Sequence, residues 1–275
     1  MFRLRSDALS IEPDDLHGLP PPRPSETLGA DGGVVDLHYV SFSSDDPSNV
    51  DRLAHYDAWM TPDERERHAR FRFPRDRDLF LITRTLVRSV LSLYAPIEPQ
   101  TWRFTIGAHG KPRVDTSGGA PDVSFNLSNA HGMVVCAVSR HQALGVDVED
   151  VMRSGETLGI ADRFFSPREV TALRALPPAR QRQRFFELWT LKESYIKARG
   201  LGLAIPLDQF SFELDDGPLL GLPIRIAFDA RLGDDRARWR FASLRFSARH
   251  LVAIGVDTGG APLLVRAASH ALFGS

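Results

Sequence analysis

The chain has 275 residues, of which 43% are hydrophobic and 25% charged, and its formal net charge is -1. That length suits one large or two small domains of a soluble globular protein, and the charge balance gives no bulk electrostatic case for nucleic-acid binding. A single cysteine excludes an internal disulfide, and no apolar run matches a membrane span or a signal-peptide core, so a cytoplasmic protein with neither nucleic acid nor membrane as partner is expected.

In chain order, residues 1–33 are rich in Pro, Gly and Asp and include Leu19-Pro-Pro-Pro-Arg-Pro24, which no helix interior accommodates; an extended arm is predicted there. A first strand is predicted at 34–42. Thr61-Pro-Asp-Glu64 carries an N-cap, a proline at the first helical position and a glutamate at the third, so a helix runs from there to about Arg70. A second helix spans 76–94, with Leu79, Ile82, Leu86, Val90 and Leu93 on one face. Strands follow at 101–107, 123–128, 133–139 and 144–149, with a turn at His109-Gly-Lys-Pro112. Cys136, in an apolar run, reads as a small buried hydrophobe.

Helix signals return at 155–163 and at Ser166-Pro-Arg-Glu169, which repeats the earlier cap. A long helix covers 179–199 and stops at Gly200; strands are predicted at 209–213, 224–228, 239–246 and 251–256. The order strand, helices, strands, then helices, strands predicts an α+β fold of two similar halves meeting near residue 142.

Four segments carry candidate chemistry. In Gly145-Val-Asp-Val-Glu-Asp150, strand alternation sends Val146 and Val148 to the core and puts Asp147 and Glu149 on the other face, roughly 7 Å apart. Such a pair is either a solvated acidic edge or, with a cation between the carboxylates, a site whose hard oxygens suit Mg2+. In the long helix, Trp189, Lys192, Glu193 and Ile196 share one broad face, with Leu188, Leu191 and Tyr195 beside it. Glu193 and Lys197 are also spaced as an ordinary stabilising helix pair. His109-Gly-Lys-Pro112 brings a lysine to a turn where backbone approaches closely, which suits a phosphate or a plain surface turn. Phe125-Asn-Leu-Ser-Asn129 offers hydrogen-bonding groups at a strand end. Of the 34 basic residues only Lys111, Lys192 and Lys197 are lysines. In so arginine-rich a chain, these three are either chance survivals or positions that call for a compact ammonium.

The order and spacing of these four segments, with the tail from Gly200 to Phe210, resemble the 4′-phosphopantetheinyl transferases of the surfactin-synthetase-activating, Sfp-like type over residues 60–215. The resemblance implies a pseudo-dimer of two similar α+β halves, 34–142 and 143–275 after the arm at 1–33, with the active site in the cleft between them. It implies Mg2+-dependent transfer of 4′-phosphopantetheine from coenzyme A to a serine of an apo acyl or peptidyl carrier protein, releasing 3′,5′-ADP, by a monomer. Carried over by residue, Asp147, Glu149 and Glu193 would hold Mg2+. Lys192 and Lys197 would contact the phosphates. Arg67, Lys111 and Pro112 would hold the nucleotide and its 3′-phosphate, with Ser128 and Asn129 beside it. Glu193, Glu149 and a hydroxide on the metal stand open as the base, with Glu193 preferred and Lys197 close to it. The family usually has His where this chain has Asn129, which removes a possible positive charge. A coenzyme A or nucleotide-binding protein without catalysis is the alternative.

Overall fold

The structure is a computed structural model that describes residues 33–43, 53–140, 143–214 and 224–270; the arm expected at 1–33 lies outside them except for Gly33. The strands are β1 (Gly33–Ser41), β2 (Phe104–Ile106), β3 (Pro112–Val114), β4 (Ser124–Ala130), β5 (Met133–Ser139), β6 (Leu144–Asp150), β7 (Phe210–Glu213), β8 (Arg225–Phe228), β9 (Trp239–Arg245), β10 (His250–Asp257) and β11 (Leu263–Ser269). The α-helices are α1 (Pro62–Arg70), α2 (Pro74–Leu91), α3 (Leu158–Phe164), α4 (Pro167–Ala175) and α5 (Pro178–Arg199).

Two sheets form the centre, one ordered β11-β1-β5-β4 and the other β6-β10-β9. Their inner faces meet in a core of Val35, Leu37, Val135, Val146, Val148, Leu244, Ile254 and Val265, among others. The outer face of the first sheet is covered by α2 through Ile82, Leu86 and Val90 against Val134, Cys136 and Val138. The outer face of the second is covered by α5 through Leu188, Leu191 and Tyr195 near Leu251 and Ala253. The layers therefore run helix, sheet, sheet, helix, and the fold is α+β.

Local signals account for most boundaries. Thr61 and Ser166 both close full capping boxes, with Glu64 and Glu169. Gly200 ends α5 at φ 65, in the left-handed conformation a glycine adopts freely. Helix α2 starts at Pro74, two residues before the expected 76, because proline suits its first turn; it ends at Leu91, leaving Leu93 outside the helix and exposed. The expected strand at 101–107 shrinks to β2 behind a short 3-10 turn at Pro99–Thr101. Strand β11 was not anticipated, although Leu263, Val265 and Ala267 alternate inward with a period of two. It pairs in parallel with β1, returning the chain to the first sheet. Among the described residues no helix is long and apolar enough to cross a membrane.

A buried polar chain ties β1 to β11 and to the end of α2. Arg266 pairs with Asp36, Tyr94 donates to Asp36 at 2.7 Å, and His38 contacts Tyr94 at 2.9 Å and His270 at 2.7 Å. Burial, then the neighbouring His270 and Arg266, push the His38 imidazole down to about 3. The unfolded chain binds that proton near pH 6.5 and the folded one does not, so this contribution is complete above 6.5 and drains away as pH falls. The stability difference between the wild-type protein and His38→Gln is therefore expected to move against the wild type by about 1.4 kcal/mol per pH unit below 6.5, measured by urea unfolding between pH 4 and 7.

Candidate active site

The site lies where α5 crosses β6. After Arg184, the residues of α5 not buried are Trp189, Glu193, Lys197 and Arg199; the first three recur every four residues as one stripe. Along β6, Gly145, Asp147 and Glu149 share the face opposite Val146 and Val148, as alternation predicts. The strand's two-residue step and the helix's four-residue step are both about 6–7 Å, so the two rows run in register. A Cβ on Gly145 would lie 2.0 Å from the Ser194 carbonyl oxygen and 2.4 Å from the Ala198 nitrogen. Lys197 reaches Asp147 at 2.7 Å. At the far end, Glu149 hydrogen-bonds with the Trp189 side chain.

Gly145 thus sets how closely the helix lies on the strand. Gly145→Ala forces backbone apart from backbone and is expected to cost about 1–3 kcal/mol. Any activity of the site should fall with it, because Glu193 and Lys197 move away from Asp147. Chemical denaturation and initial rates on the folded variant check both effects.

Three carboxylates thereby share one low-dielectric spot. Burial, then Asp147, raise the Glu193 carboxyl to about 7, with Glu149 adding to the rise and Lys197 opposing it. Glu149 is raised for the same reasons, burial first and Asp147 next, while Arg153 at 3.0 Å opposes the shift. Asp147 is buried; its Oδ1 accepts from Lys197 and from Ser128 at 2.9 Å, while its Oδ2 is buried without a hydrogen-bond partner. Mutually repelling carboxylates and an orphaned buried oxygen fit a hard divalent cation. Among the described residues no three such groups already stand together closely enough to hold one. Asp147 is drawn to Lys197 and Glu149 to Arg153.

The two sheets touch edge to edge beside this cluster. Asn126 and Ser128 of β4 accept hydrogen bonds from the Val146 and Val148 amides of β6, at 2.8 and 3.2 Å. Side chains two residues apart replace a backbone ladder. Ser128 was expected beside a nucleotide, but its hydroxyl is fully occupied by Val148, Lys197 and Asp147. Asn129, next along β4, points to the other face and is exposed.

Lys192 was expected at a phosphate, and the structure places it elsewhere. Its side chain is fully buried, and its three donors go to Glu169 at 2.7 Å, the Leu207 carbonyl at 2.8 Å and the Phe210 carbonyl at 2.7 Å. The ammonium also sits 4.2 Å from the centre of the Phe210 ring. Lys192 is on the core side of α5, one residue and thus about 100° away from Glu193. The broad face drawn through both residues is divided by the packing.

Lys111 also spends donors on carbonyls, Leu144 at 2.8 Å and Ala198 at 3.2 Å, joining β6 to the end of α5. Burial, then Arg113, lower its ammonium to about 8. It borders two cavities, one of about 240 Å3 shared with Pro112, Arg113 and Ser124, and one of about 350 Å3 shared with Arg113, Ala198, Arg199 and Asp234. Arg67 is exposed on α1, its guanidinium 5.5 Å from the Phe80 ring centre. A cavity of about 700 Å3 lies against β8 and β9 and shares no residue with the carboxylates, so its size does not mark the site.

Sequence reasoning assigned no role to Arg153 or to the close approach at Gly145. The glycine two residues before Asp147 and the repeating i, i+4 stripe on α5 were the available signals.

Residues 143–254 match the family model described as the 4′-phosphopantetheinyl transferase superfamily, and residues 46–141 match the one described as 4′-phosphopantetheinyl transferase, N-terminal. The chain is 35% identical to the 4′-phosphopantetheinyl transferase HetI of Nostoc sp. over 186 residues, 68% of this chain and 76% of that protein. It is 35% identical to the 4′-phosphopantetheinyl transferase Sfp of Bacillus subtilis over 170 residues, 62% of this chain and 73% of that one. It is also 29% identical to the human L-aminoadipate-semialdehyde dehydrogenase-phosphopantetheinyl transferase over 209 residues, 72% of this chain and 67% of that one.

Proposed function

This chain belongs to the 4′-phosphopantetheinyl transferase superfamily, and on that premise we propose that Asp147, Glu149 and Glu193 hold the Mg2+ with which it works. It transfers the 4′-phosphopantetheine group from coenzyme A to a carrier protein. The carrier is an acyl or peptidyl carrier with a serine acceptor, and 3′,5′-ADP is the product released. The observation that carries the residue assignment is the convergence of three carboxylates, with the Asp147 Oδ2 orphaned, on the face of β6 that α5 crosses.

A cation held by these three carboxylates would supply charge neutralisation for the pyrophosphate and the departing phosphate. The chain's own residues do the rest. Lys197 turns from Asp147 to the coenzyme A phosphates. Lys111 and Pro112, at the cavities beyond the end of α5, hold the nucleotide with its 3′-phosphate, and Arg67 approaches from α1. The carrier serine oxygen forms the new bond to the phosphorus bearing pantetheine as the bond to 3′,5′-ADP breaks. The serine proton passes to Glu193, which accepts no hydrogen bond among the described residues. Positioning and electrostatics carry such a transfer, and this donor set suits both.

The two helix-on-sheet units read as fused halves, 34–142 and 143–275, with the site between them; β11 crosses from the second half into the sheet of the first. Since one chain supplies both halves, the working form is a cytoplasmic monomer.

The test is intact-mass spectrometry of an apo carrier incubated with the protein, coenzyme A and Mg2+. A gain of one phosphopantetheine that Asp147→Ala abolishes is expected. No gain with acyl and peptidyl carriers alike sinks the reading of the substrate, and a gain that survives Asp147→Ala sinks the reading of the site.

A further inference from the structure

We propose that Ser128 is a positioning residue for the metal site, setting which oxygen of Asp147 faces the cation; this rests on the reading of the carboxylates given above. Three groups meet its buried hydroxyl: the Val148 amide at 3.2 Å, the Lys197 ammonium at 2.9 Å and Asp147 Oδ1 at 2.9 Å. The first two only donate. The hydroxyl has one proton and two lone pairs, so the proton goes to Asp147.

Asp147 is thereby made asymmetric. Its Oδ1 receives two hydrogen bonds and its Oδ2 none, although Oδ2 is buried. An unsatisfied buried oxygen is costly, and a cation ligated there recovers that cost. Pinning Oδ1 stops the carboxylate from rotating that strain away.

The pin has to survive the reaction. When Lys197 turns to phosphate, Oδ1 loses its ammonium. Ser128 stays, because its own anchor is the Val148 amide, next to Asp147 on the same strand. Oδ2 therefore keeps its direction while the lysine changes partner. Asn126 is the natural control: it makes the matching seam bond to Val146 at 2.8 Å and makes none to Asp147.

Binding of Mn2+ to the full chain with coenzyme A present, followed by electron paramagnetic resonance, tests this alongside Mg2+ titrations of transfer and melting curves. Ser128→Ala is expected to weaken Mn2+ binding about tenfold and to raise the Mg2+ needed for half-maximal transfer similarly, the usual size for a group that orients a metal ligand. Its kcat at saturating Mg2+ should stay within about threefold of wild type. Ser128→Thr, which keeps the hydroxyl, should restore metal affinity, and Asn126→Ala should lower the melting temperature without moving it. Equal metal effects of Ser128→Ala and Asn126→Ala, or no effect of Ser128→Ala, overturn the proposal and leave Ser128 a seam residue. Wild-type protein that binds no Mn2+ overturns the metal reading itself, and this proposal with it.

Discussion

Glu193→Gln is expected to lower kcat for transfer by about 10^3-fold and, at the same time, to make the fold more stable. The loss of rate follows from the roles assigned to this side chain: it carries charge toward the cation and takes the serine proton, and glutamine does neither. The gain in stability follows from what the folded chain does to the carboxyl. Burial, Asp147 and Glu149 lift it from an ordinary carboxylate to about 7. A carboxyl whose folded value is raised stabilises the fold at low pH, and that contribution is lost as pH rises from the unfolded value through about 7. At pH 8 the charge is therefore a burden on the order of 2 kcal/mol, and the neutral amide removes it. Single-turnover rates and urea unfolding at pH 8 check the two halves. An inactive variant no more stable than wild type would show that the carboxylate cluster is not strained.

Lys192 gives the opposite pattern. Lys192→Met leaves Glu169 buried without its ammonium, while Glu169 continues to serve the Ser166 cap and to accept from the Phe212 amide at 2.9 Å. Removing one member of a buried pair costs about 3–5 kcal/mol, a large share of a domain's total stability. Adding Glu169→Gln should recover only part of that loss, since it removes the uncompensated charge but turns an NH2 against one of the two backbone amides, Ser166 or Phe212, that donate to Glu169. The fraction of Lys192→Met that folds should bind coenzyme A as wild type does. A Lys192→Met protein of normal stability with a sharply raised KM would return Lys192 to the phosphates, where the family resemblance first placed it.

That lysine marks what could be read in the sequence and what could not. Both capping boxes, the glycine stop of α5 and the alternation along β6 are local, and each was legible because backbone geometry within a few residues determines it. The partner of a side chain across the core is not local. Lys192 and Glu193 are adjacent in sequence, yet one meets Glu169 inside the core and the other faces Asp147 and Glu149 of β6, because strand β7 and helix α4 pack behind α5. The preference for lysine over arginine at the three positions was informative for a reason the sequence did not disclose. Lys111 and Lys192 deliver an ammonium to buried carbonyls, and Lys197 delivers one to a carboxylate beside a hydroxyl. A planar fork is too large for such pockets. Ser128 was singled out as a hydrogen-bonding residue, but its saturation depends on β6, which lies in the other sheet.

The return of β11 to β1 bears on how the molecule is made. During synthesis, β1, β5 and β4 leave the ribosome with one flank of β1 bare, and they wait for more than a hundred residues until Leu263–Ser269 can close it. An unpaired strand edge held that long invites pairing with another chain. A nascent chain halted before residue 263 should thus be far stickier than one that already includes Leu263–Ser269.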